Sequence, residues 1–92
     1  MQKSAKDVSF TPVELAVLTI LFENDSGLRN IDIAQKSGRN KGNLSRVLKR
    51  LSERRVLEFI NYGEVETYHL RKDSLLVKLY LPLIRYLSEP AG

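Results

Sequence analysis

The sequence predicts an α+β fold, mainly α: a three-helix core, a β-hairpin and an additional C-terminal helix. Two features carry this reading. Helix-start residues precede apolar stretches at helical spacing three times within residues 11–53, and two runs rich in β-branched and aromatic residues, 56–62 and 65–70, flank a Gly63-Glu64 turn. At 92 residues the chain suits one compact domain with a single core. Its 42% hydrophobic and 28% charged residues are an ordinary globular balance, too apolar for disorder.

The first helix starts at Pro12. Thr11-Pro12-Val13-Glu14 places a hydroxyl at the N-cap, a proline at N1 and a carboxylate at N3, so that orphan amides find acceptors and the fixed proline φ suits the first turn. Leu15, Leu18, Ile20, Leu21 and Phe22 supply an apolar face, and Asn24-Asp25-Ser26-Gly27 stops the helix. Leu28 is expected to lead in as a short extended piece. Asn30 then caps a short second helix with Ile31, Ile33 and Ala34 facing inward, ended by Ser37-Gly38. Asn40 caps a third helix, in which Leu44, Val47, Leu48 and Leu51 define the buried face. Its opposite face presents Lys41, Gly42, Asn43, Ser45, Arg46, Lys49 and Arg50.

After the hairpin, Asp73 or Ser74 caps a last helix running to about Ser88, where Pro82 forces a kink or a break near Leu81. That stretch holds more apolar surface than one small core can cover on one face, which implies a partner surface. Residues 1–10 read as a flexible N-terminal segment, and residues 90–92 as a frayed end.

The formal charge of +4 is unevenly spread. Residues 36–55 carry eight Lys and Arg against Glu53 alone, whereas residues 1–35 carry three cations against five acids and residues 56–92 four against five. A one-sign cluster bordered by acidic surface is the footprint of a polyanion-binding face, because each phosphate neutralised releases condensed counterions. With no cysteine and a single histidine, His69, the chain offers no disulfide framework, thiolate site or imidazole cluster; no metal and no cofactor are expected. The longest wholly apolar run, residues 15–18, is far short of the roughly 20 residues that span a bilayer, and residues 1–10 lack the apolar middle of a secretory signal. The expectation is a soluble cytoplasmic protein with no membrane partner.

Residues 33–57 combine the Ile33-Ala34 pair, the Gly38 turn, the Asn40 cap, a helix with inward leucines, and Leu51-Ser52-Glu53-Arg54-Arg55-Val56-Leu57 leading into the hairpin. This pattern resembles the winged helix-turn-helix motif of the MarR and ArsR groups of transcriptional regulators, over roughly residues 12–72. The resemblance implies a winged-helix domain over 11–72, with Asn61, Tyr62 and Gly63 in the wing, and a C-terminal dimerisation helix over 73–92 packed on the same domain. Two positions depart from the family pattern. Arg55 stands where glycine is usual, so a left-handed backbone there would cost on the order of 1 kcal/mol; Arg55 is also placed to contact a phosphate at the base of the wing. The wing tip, residues 61–66, has no Lys or Arg, which argues against insertion into the minor groove.

A helix about 10 to 12 Å wide fits the major groove of double-stranded DNA, where base edges present a unique donor and acceptor pattern. Asn43 and Arg46 lie one turn apart on the outer face, suited to adenine and guanine respectively, with Gly42 permitting close approach. Arg39, Lys41, Ser45, Lys49, Arg50, Arg54 and Arg55 are expected to position the helix on phosphates. Two-fold symmetry multiplies what one helix can read, and Leu76, Leu79, Tyr80, Leu83 and Leu87 approximate a heptad seam for a homodimer through the C-terminal helix. No catalytic residues are assigned, since His69 has no nucleophile beside it and the carboxylates are scattered. The reading is therefore a sequence-specific dimeric regulator, with repression the favoured role and not an enzyme. The alternative is a winged-helix protein-interaction module in a transcription or replication assembly.

Overall fold

A computed structural model describes residues 10–88. Most of the N-terminal segment expected to be flexible, and the C-terminal residues expected to fray, lie outside the described residues. The elements run α1 (Pro12–Phe22), α2 (Asn30–Ser37), α3 (Lys41–Glu53), β1 (Leu57–Tyr62), β2 (Val65–Leu70) and α4 (Leu75–Ser88). Among the described residues this is the winged-helix arrangement, four helices and an antiparallel hairpin.

Helix α1 begins where its local chemistry dictates. Glu14 Oε1 accepts the Thr11 amide at 2.8 Å while Thr11 Oγ1 accepts the Glu14 amide at 3.2 Å, closing the capping box. Its buried apolar stripe is Val17, Leu18 and Leu21, with Leu15, Ile20 and Phe22 only partly covered. Helix α2 starts one residue earlier than expected: Arg29, not Asn30, is its N-cap. The Asp32 carboxylate accepts the Arg29 amide at 3.2 Å and its guanidinium at 3.1 and 3.2 Å, so the orphan amide is met from N3 rather than from an N-cap side chain. Ile31 is 43% exposed, contrary to the inward placement expected of it, whereas Ile33 and Ala34 are buried.

Gly38 ends α2 at φ 69°, a left-handed position that glycine adopts without a Cβ penalty. Two residues later Asn40 caps α3, its Oδ1 accepting the amides of Gly42 at 2.7 Å and Asn43 at 3.3 Å. Leu44, Leu48 and Leu51 are buried, and with Val17, Leu18, Leu21, Ile33, Val56, Leu57, Val77 and Ile84 they form one core.

The hairpin pairs Leu57 with Leu70 through Tyr62 with Val65, leaving Gly63 and Glu64 as a two-residue loop. Gly63 has φ 64°, while Glu64 is not left-handed, the pattern of a type II′ turn whose twist matches the strands. Strand β1 begins at Leu57, one residue later than expected. The extended piece at Leu28 is present and pairs with Tyr68, whose amide and carbonyl point away from β1. Both bonds are made, Leu28 N to Tyr68 O at 3.1 Å and Tyr68 N to Leu28 O at 2.7 Å.

Ser74, rather than Asp73, caps α4: its Oγ accepts the Val77 amide at 3.3 Å. The expected break at Pro82 does not occur, and the helix runs through to Ser88. Pro82 is exposed on the side away from the core and leaves the carbonyl of Lys78 without a helical donor. Helix α4 buries Val77 and Ile84, and Leu76 and Tyr80 pack against the same core. Of the expected seam, these two side chains are partly covered by the chain's own interior.

Candidate nucleic-acid interface

The cationic face is built on α3. Its buried leucines fix the helix rotation, and Lys41, Gly42, Asn43, Ser45, Arg46, Lys49 and Arg50 are all exposed as a result. Among the described residues, Arg39, Lys41, Arg46 and Lys49 form no ion pair, so their charges are offered to solvent. Arg46 and Lys49 sit opposite the buried stripe. Asn43 lies to one side of them, lining a cleft of about 380 Å³ with Val13, Arg39 and Val47.

Three of the expected phosphate contacts have other engagements. Ser45 Oγ donates to the Lys41 carbonyl at 3.0 Å and accepts from Asn30 Nδ2 at 2.9 Å, so its only hydrogen is committed. It clasps α3 to α2 instead of pointing a free hydroxyl outward. Arg54 turns inward: its Nη1 is 3.6 Å from Glu14 Oε1, its guanidinium stacks 4.5 Å from the Phe10 ring centroid, and its side chain is only 18% exposed. Arg50 Nη1 lies 3.7 Å from Glu14 Oε2, with its side chain 56% exposed. Glu14 itself is 2% exposed, a buried carboxylate facing two arginines of the third helix and its cap.

Arg55 does adopt the left-handed backbone, at φ 62°. With Ser52, Phe59 and Arg71 it lines a hollow of about 440 Å³ between the end of α3 and the root of β1. On the other side of α3, Lys41 and Arg29 face the wing acids Glu64 and Glu66 across a cleft of about 260 Å³ that also includes Tyr68. Burial, and secondarily the charge of Glu66, push the Tyr68 hydroxyl above its usual range. Asn61, Tyr62 and Gly63 are exposed at the wing tip, with Tyr62 68% exposed. His69 serves the fold. Its Nε2 is 3.0 Å from Thr67 Oγ1, and its ring packs on the backbone of Gly27, where any Cβ would overlap it.

On α4 the side turned from the core is apolar: Leu75, Leu79, Leu83, Tyr86 and Leu87 are all exposed. Three residues of the expected seam, Leu79, Leu83 and Leu87, belong to this uncovered set.

Sequence reasoning missed the buried Glu14 and the Asn30–Ser45 clasp. The first had a trace, since Thr11-Pro12-Val13-Glu14 marks the carboxylate as a capping group, but nothing local announces its arginines.

The model of the MarR family matches residues 10–59. The fold is similar to that of the transcriptional repressor BigR from Xylella fastidiosa, with a TM-score of 0.74 and 21% identity over 94% of this chain and 84% of that one. The S. aureus MepR–DNA complex gives a TM-score of 0.72 and 17% identity over 92% of this chain and 73% of that one. For a Lactococcus lactis ZitR mutant in complex with DNA, the TM-score is 0.70 with 21% identity over 96% of this chain and 61% of that one. The chain spans 61% of a further ZitR structure and 58% of the regulator SlyA. No curated protein sequence is significantly similar.

Proposed function

The chain belongs to the MarR family of winged-helix transcriptional regulators, and from that premise we propose that it binds double-stranded DNA as a homodimer, with α3 in the major groove. The observation that carries this reading is the set of exposed, unpaired cations on α3: Arg46 and Lys49 opposite the leucines that lock the helix into the core, and Lys41 at its first turn. Arg46 and Asn43 read base edges, with Gly42 allowing approach, while Arg39, Lys41, Lys49 and Arg55 engage phosphates. The DNA complexes of MepR and ZitR support the same partner.

Residues 11–72 form the reading unit, and the helix within residues 73–92 pairs two copies through the apolar side that includes Leu79, Leu83 and Leu87. A dimer that occupies a promoter blocks polymerase by occupancy alone, which favours repression, in the cytoplasm. No helix among the described residues is long and apolar enough to cross a membrane.

The test is titration of duplex DNA between about 50 and 200 mM salt, where several phosphate contacts give a steep loss of affinity. Arg46→Ala is expected to relax base preference at one position by about 1–3 kcal/mol, and Lys49→Ala to weaken all duplexes alike with a salt slope lower by about one. A weak, salt-insensitive response would remove the regulator reading and favour docking of the acidic wing and apolar α4 on proteins.

A further inference from the structure

We infer that Glu14 is a specificity-determining residue: its buried carboxylate withholds Arg50 from the nucleic-acid backbone, so that part of the cationic face is kept from engaging any duplex regardless of sequence. The inference rests on the proposed DNA binding and concerns its balance between reading and positioning.

The argument starts from burial. A carboxylate that is 2% exposed is costly unless cations and donors compensate it. Glu14 has one backbone donor, the Thr11 amide at 2.8 Å, and two cations, both from the region of α3. The two arginines are not equivalent. Arg54 is held from behind by the Phe10 ring, which itself meets Tyr80 of α4 edge-on at 4.7 Å. Arg50 is more than half exposed, and at 3.7 Å its contact with Glu14 is Coulombic, too long for a hydrogen bond. A guanidinium drawn toward the internal carboxylate has part of its charge offset there, so it contributes less to an external phosphate.

The site therefore acts as an internal competitor for DNA. Phosphate contacts raise affinity for every sequence equally, while base contacts separate one sequence from another. Arg46 forms no ion pair and remains available, and Asn43, although on the Arg50 side of α3 and lining the cleft with Val13, is not among the groups that meet Glu14. Holding Arg50 lowers the sequence-independent part and leaves base reading intact, which raises the ratio between cognate and random duplexes.

Glu14→Gln isolates the charge. Glutamine fills the same volume and still accepts the Thr11 amide, so the capping box survives. The probe is a fluorescein-labelled duplex of mixed sequence, titrated with the full chain by anisotropy at several salt concentrations, with circular dichroism as the check on folding. Glu14→Gln is expected to bind this duplex more tightly at low salt and to steepen the log–log salt slope by about 0.9, an additional loss of about threefold between 50 and 200 mM. Adding Arg50→Ala to it is expected to return the slope to that of the unaltered chain, whereas Arg50→Ala alone changes it little. An unchanged slope in folded Glu14→Gln, or a full unit lost in Arg50→Ala alone, overturns the inference. If Glu14→Gln fails to fold, Arg50→Ala alone decides by the same criterion. If the unaltered chain binds no duplex, the proposed function fails first and this inference with it, an outcome distinct from binding that ignores Glu14.

Discussion

Helices α3 and α4 are anchored in the same way and finished differently. Each sinks apolar side chains into the common core, Leu44, Leu48 and Leu51 from one, Val77 and Ile84 from the other. Outside, α3 carries lysines, arginines and asparagine, whereas α4 shows Leu75, Leu79, Leu83 and Tyr86 to solvent. The inner stripe decides where a helix lies. What the outer stripe contains is left free by folding, so its chemistry reports what the helix meets beyond the chain.

Substitutions on the two stripes can break this comparison. The largest effect is expected inside: Leu48→Ala removes a side chain with no exposure and is expected to cost about 2–5 kcal/mol in chemical denaturation. The paired change Leu79→Glu with Leu83→Glu acts outside, and is expected to leave circular dichroism unchanged while sedimentation shows a shift from dimer to monomer. Loss of helix in that variant would mean that the outer stripe of α4 supports the fold itself. A smaller gain is expected from Arg55→Gly, which relieves a left-handed arginine and stabilises by up to about 1 kcal/mol. A lower melting temperature there would show that the Arg55 side chain contributes more than its backbone costs.

The smallest effect concerns Asp32. The Arg29 guanidinium, and with it the Arg29 amide, holds this carboxyl below its ordinary range. A depressed folded-state pKa contributes stability above the ordinary carboxylate range, and that contribution is lost as pH falls through the folded value. Asp32→Asn is therefore expected to differ slightly from the unaltered chain near neutral pH and to match it in acid. A difference that persists in acid would assign the effect to cap geometry rather than charge.

What was legible in the sequence was what short stretches decide. Thr11 with Glu14, Asn40, and the Gly63-Glu64 loop each satisfy their own backbone groups within a few residues, so α1, α3 and the hairpin are placed correctly from the residues alone. Helix α2 was less legible. Its start depends on a carboxylate reaching back from N3, and eight residues define the phase of an apolar face poorly, so the pattern does not show that Ile31 faces outward. At Leu76 and Tyr80 the apolar pattern shows a broad stripe without saying which edge the chain keeps for itself. The pairing of Glu14 with Arg50 and Arg54 depends on how α1 crosses α3, and no local pattern encodes that crossing.

The pair of backbone bonds between Leu28 and Tyr68 has a mechanical consequence. The hairpin is stitched to the strand-like link before α2 at a point partway along β2, so its root cannot swing without dragging that link. Only the portion beyond Tyr68, carrying Tyr62 and the two glutamates, is left as a lever. The angle between that lever and α3 is consequently set by the main chain, and side-chain changes at the tip alter what it touches rather than where it points.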